Sequence, residues 1–213
     1  RPLFERLDVR YALDLPVATA AAQVEPPRAL VSFGALTLSQ GLVAQAQREA
    51  RAGLARLGLA VVEPSGSGGA ELRALLAGVD VLHYFGHGQP APLHRQGRLL
   101  GAGNPLLVGD LLLLPRAPRA VVLLACNAGQ ASEESGGLEG LSVASAFLLR
   151  GSAFVIAAPV ALPAEAAAGL ARGLYQPGFL QAPSAALRRL IQETDTSDAA
   201  AAATARLLRI YVP

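Results

Sequence analysis

The sequence contains no lysine, methionine or tryptophan, and only one cysteine in 213 residues. Every basic side chain is therefore an arginine, which reflects GC-rich coding rather than chemistry. A single cysteine excludes an internal disulfide and suits a reducing compartment. No apolar run reaches the roughly 20 residues that span a bilayer, and no charged start leads into a signal-peptide core. The expectation is a cytoplasmic chain with no membrane partner. Net charge is only +2, and the arginines form no stripe, so the electrostatic footprint of a nucleic-acid binder is missing. Charged residues are scarce at 16% against 52% hydrophobic, which demands a large interior or a face docked elsewhere. The length suits one large domain with a buried core. Arg1 in place of Met predicts a fragment of a longer chain.

What is present reads as strands alternating with helices. Residues 1–27 are irregular, broken by Pro16, Pro26 and Pro27. Strands are expected at 28–34, 59–62, 79–85, 120–125 and 153–160, and near the end in "LLRIYV". Helices are expected at 40–57, 70–77, 138–150, 163–175 and 184–193, with a Pro/Gly-punctuated stretch at 89–118 that holds "GDLLLLP". Ala120 to Ala125 is almost continuously apolar, the mark of burial on both sheet faces. Such alternation implies an α/β fold with a mostly parallel central sheet flanked by helices. In such sheets ligand chemistry gathers beyond the carboxyl ends of the strands.

Two residues are placed there. "VLHYFGHGQ" (81–89) carries His87 between two glycines, and "VVLLACNAGQ" (121–130) carries Cys126 just past an apolar strand. A thiol beside an imidazole forms a nucleophilic pair in which the imidazole takes up the thiol proton and returns it to the leaving amine. The developing oxyanion needs backbone N–H donors, and glycine lets the chain approach closely. Gly88 after His87, and Asn127-Ala128-Gly129 after Cys126, meet that need. A core cysteine and a strand-end histidine fit the same residues, because free cysteine is among the most buried types.

Other motifs carry less. His83 and His87 are four apart, but on a strand that spans about 13 Å, too far for one metal. His83 reads as structural, and His94 lies in a polar loop. No metal and no cofactor is expected. "SGSGG" (65–69) has no lysine and fits neither the Walker nor the dinucleotide spacing, so it reads as a flexible loop. "ASEESGG" (131–137) follows the cysteine and suits either a loop that closes over substrate or an ordinary solvated one. Glu133, Glu134 and Glu139 could attract a basic substrate, though nothing in the sequence fixes them in a pocket.

Taken in order, three blocks resemble a CHAT domain, a caspase-like cysteine peptidase domain related to separase, caspases and metacaspases. They are "DVLHYFGHG" (80–88), "AVVLLACNAGQ" (120–130) and "GGLEGLSVASAFLLRGSAFVIAAPV" (136–160). The likeness covers roughly residues 28–213, leaving 1–27 as an irregular N-terminal segment that continues from a missing upstream region. It implies a three-layer caspase-like fold and a cysteine endopeptidase. Cys126 would be the nucleophile and His87 the general acid/base, and the backbone amides of Gly88 and Cys126 would form the oxyanion hole.

The resemblance also bears on specificity. Where the family often has Leu-Trp and an acidic pair, this chain has Ala158-Pro159-Val160-Ala161-Leu162-Pro163, in the part of the caspase fold that helps shape the P1 pocket. Leu124 stands where metacaspases that cut after basic residues carry Asp. Leu124, Ala158, Pro159 and Val160 are thus the substrate-pocket candidates, and a small or apolar P1 residue is expected. The resemblance implies regulated cleavage of a protein or peptide substrate in bacterial defence or programmed cell death, under an upstream regulatory domain or an activating partner. The alternative is a catalytically silent caspase-like scaffold or binding module.

Overall fold

A computed structural model describes residues 11–12, 25–34, 38–65, 69–89, 97–100, 104–130 and 141–213. Its nine strands are β1 (Tyr11–Ala12), β2 (Arg28–Phe33), β3 (Ala60–Val62), β4 (Val81–Gln89), β5 (Arg98–Leu100), β6 (Leu106–Leu107), β7 (Ala120–Ala125), β8 (Phe154–Ala157) and β9 (Arg209–Val212). The main path through the sheet runs β1-β9-β8-β7-β4-β2-β3, parallel except where β9 meets β8. β5 and β6 add an antiparallel extension to the far end of β4.

Among the described residues, eight helices cover the sheet. They are α1 (Gln40–Arg56), α2 (Gly69–Leu76), α3 (Val108–Leu112), α4 (Val143–Leu149), α5 (Ala164–Ala168), α6 (Leu170–Leu174), α7 (Pro183–Ser197) and α8 (Ala199–Ala205). Strand alternation divides the interior into two cores. Ala120, Val122 and Leu124 of β7 face α1 and α5 to α8, while Val121, Leu123 and Ala125 face α2, α3 and α4. The fold is therefore three-layered, with a buried, mostly parallel sheet in the middle, as the caspase-like expectation required.

Local chemistry explains most boundaries. Ser39 caps α1 by accepting from the Leu42 N–H, Ala46, Ala50 and Leu54 give it a buried stripe, and Gly58 at φ 80° ends it. Ser142 caps α4 in the same way through the Ser145 N–H.

Several expectations needed revision. The strand expected at 79–85 begins at Val81 and runs on through His87 to Gln89, because β5 folds back and pairs with 87–89. The strand expected at 153–160 spans only Phe154 to Ala157, and Ala158 to Val160 is not strand. One helix expected at 163–175 is two, α5 and α6, joined at Gly169. The "GDLLLLP" segment opens into α3. Tyr11–Ala12, inside the segment read as irregular, pairs with β9. α8 was not expected at all, because a run of alanines has no apolar period to read. Asp198 caps it from two backbone N–H groups.

Candidate active site

β4 and β7 lie side by side and parallel, with Phe85 level with Leu124 and Gly86 level with Ala125. Carrying that register one residue further sets His87 level with Cys126. Partners in a parallel pair project to the same face, so both side chains emerge on the side of α1 and α7. Cys126 packs against that core, and both residues are half-buried. They stand at the carboxyl edge of the sheet. Cys126 lies just beyond β7 as expected; His87 lies within β4, held by its antiparallel pairing with Leu100.

The backbone around the pair is tightly built. A β-carbon on Gly88 would overlap the Cys126 carbonyl oxygen, so the residues proposed as oxyanion donors touch through their main chains. Asn127 follows the thiol at φ 55°, the left-handed region that asparagine tolerates better than other non-glycine residues. That turn sends the chain sharply away from β7. Its sequence signal is an asparagine two residues past a buried strand.

The residues past β8 cross this turn. The Asn127 N–H donates to Val160 O at 3.0 Å, and the Gly129 N–H donates to Ala158 O at 2.9 Å. The Leu162 N–H donates to Cys126 Sγ at 3.3 Å, and the thiol reaches Leu162 O at 3.6 Å. The main chain of Leu162 thus holds the sulfur from both its donor and its acceptor. Nothing in the sequence signals this contact, because the two residues are 36 apart.

The remaining candidates are placed as follows. Leu124 and Ala158 are 2% and 0% exposed and belong to the apolar core, so neither offers free surface. Val160 is 44% exposed and its carbonyl accepts from the Asn127 N–H, and Pro159 is half-buried. His83 is a core residue whose Nδ1 lies 2.6 Å from the Tyr175 hydroxyl. Burial lowers its pKa from 6.5 to about 3 and pushes that of Tyr175 up, so both stay neutral and share one hydrogen bond. His94, Glu133, Glu134 and Glu139 lie outside the described residues, as does most of the "SGSGG" loop.

A thiol, an imidazole and close-packed glycine backbone at one strand edge are the parts of an acyl-transfer site. Among the described residues, no helix is long and apolar enough to cross a membrane. No curated protein matches the chain. Two structures of one proteinase are among the solved structures that share its fold. One is the Arg-specific cysteine proteinase gingipain R (RgpB), with a TM-score of 0.61, 11% identity, and coverage of 87% of this chain and 46% of the other. The other is the complex of the pro- and mature domains of Porphyromonas gingivalis RgpB, with a TM-score of 0.62, 11% identity, and coverage of 87% and 47%. This chain spans about half the length of those proteins. At that identity the likeness concerns the fold. The CHAT domain family itself matches residues 2–202, including most of the stretch set apart as irregular. A match of that extent, on a three-layer fold with Cys126 and His87 at one edge of its sheet, shows that the chain belongs to the CHAT domain family.

Proposed function

We propose that this domain is a cysteine endopeptidase that cuts a protein or peptide substrate through a Cys126–His87 dyad. The observation that supports the reading is the register of β4 and β7, whose pairing ends at Gly86 with Ala125, one residue before His87 and Cys126. His87 takes the thiol proton, and Cys126 Sγ attacks the carbonyl carbon of the scissile bond. The carbonyl π pair moves onto oxygen, where the N–H groups of Gly88 and Cys126 receive it. Collapse expels the amine with the proton from His87 and leaves a thioester. Water, deprotonated by His87, then hydrolyses the thioester and frees the thiol.

The exposed face of Val160 and the half-buried Pro159 favour a small or apolar P1 side chain. The Arg specificity of the gingipain neighbour is not carried over, since that likeness concerns the fold. Main-chain contacts from Leu162 hold the thiol in this conformation, which suits an enzyme that waits for a partner or an upstream domain. The setting is a cytoplasmic, regulated cut in bacterial defence or programmed cell death.

The test is labelling with a peptidyl electrophile, wild type against Cys126→Ala and His87→Ala, followed by profiling of new protein termini. Labelling that needs both side chains, with termini after small or apolar residues, supports the reading. A protein that never labels under any activating condition is the scaffold instead.

A further inference from the structure

Tyr84, Gly86 and Gly88 alternate along β4 on the face opposite His87, toward α2, α3 and α4. Tyr84 is 1% exposed, yet its hydroxyl is not spent on the core. It donates to the His87 carbonyl oxygen across 3.2 Å, a long hydrogen bond. Gly86 makes room for this reach, since a β-carbon there would stand 2.7 Å from the hydroxyl oxygen. The His87 carbonyl and the Gly88 N–H are the two ends of a single planar peptide unit. Anchoring the oxygen therefore fixes the direction of the N–H. Drawing electron density toward that oxygen also strengthens the N–H as a donor.

We infer that Tyr84 is a positioning residue for the oxyanion hole, acting on the Gly88 N–H through the peptide unit it shares with His87. The inference rests on the peptidase reading above. Tyr84 never touches substrate. Its hydroxyl acts one bond removed, from beneath the sheet, and the glycine at 86 exists to let it pass.

The experiment compares two reactions of Cys126 in the full chain. Acylation by p-nitrophenyl acetate forms a C–S bond through a tetrahedral oxyanion that collapses to release p-nitrophenolate, so it needs the hole. Alkylation by iodoacetamide forms a C–S bond by displacing iodide, with no oxyanion, so it reads only the thiol and the fold. Tyr84→Phe keeps the ring and removes the hydroxyl. Loss of a direct oxyanion donor costs about 10²–10³ in rate, so loss of an indirect support is expected to slow acylation about tenfold while alkylation stays unchanged. Equal acylation by variant and wild type overturns the inference alone. A loss shared equally by alkylation makes the hydroxyl merely structural and also overturns it. A wild type that acylates no faster than Cys126→Ala ends the peptidase reading, and this inference falls with it.

Discussion

Gly88 lies so close to Cys126 that a β-carbon on it would overlap the Cys126 carbonyl oxygen and stand 3.3 Å from the Ala125 side chain. The obstacle is backbone, so no rotamer change relieves it. Gly88→Ala must push β4 and β7 apart at the proposed oxyanion hole, at a cost of about 1–3 kcal/mol. Thermal unfolding should show a melting temperature lower by several degrees, and Cys126-dependent acylation should disappear. Gly41→Ala, in a helix with open space around it, is the control that should lower neither the melting temperature nor the acylation.

Burial keeps His83 neutral, and this makes stability depend on pH. Its pKa falls from 6.5 to about 3 on folding, so the unfolded chain binds a proton between those values that the folded chain does not. The contribution is fully present above pH 6.5 and is lost as pH falls toward 3, at about 1.4 kcal/mol per pH unit. Urea unfolding at pH 7 and pH 4.5 should show this loss. The double variant His83→Leu/Tyr175→Phe, which removes both polar partners, should show a shallower dependence.

Removing one partner alone should be worse than removing both. Tyr175→Phe leaves His83 Nδ1 buried without its 2.6 Å partner and should destabilise by about 1–3 kcal/mol. Equal stability of Tyr175→Phe and wild type in denaturant titration would sink the idea that this pair is a satisfied unit.

Leu162 holds the thiol with its main chain and anchors itself with its side chain, which is 7% exposed in the core. Leu162→Ala should cost about 2–5 kcal/mol and loosen the segment that crosses Asn127. Iodoacetamide should then alkylate Cys126 faster than in wild type. An unchanged rate in a folded variant would mean that this contact does not limit access to the sulfur.

The opposite edge of the sheet gives a separate test. Asp80, just before β4, accepts from Arg116 at 2.9 Å and from the Arg28 backbone N–H at 3.2 Å, and its side chain is 7% exposed. Arg116→Ala removes one partner of that carboxylate and should cost about 1–3 kcal/mol. Alkylation of Cys126 should not change, because the pair sits at the amino ends of the strands, away from the thiol.

The sequence alone determined the layering and the chemistry on offer. Ala120 to Ala125 could only be a strand covered on both faces, since six apolar residues in a row leave no polar side for water. That places Cys126 at a carboxyl edge from the sequence alone. The serine caps of α1 and α4 are equally local, because their partners are within a turn of helix. Tertiary structure decided what depends on residues far apart in the chain. β4 runs through His87 because β5 returns to pair with it, and α8 forms without a periodic pattern because Asp198 caps it and the core receives it. The thiol rests on Leu162, and the Tyr84 hydroxyl reaches the His87 carbonyl over a glycine. Main-chain contacts of this kind leave little trace in residue identity, because every residue carries the same N–H and C=O.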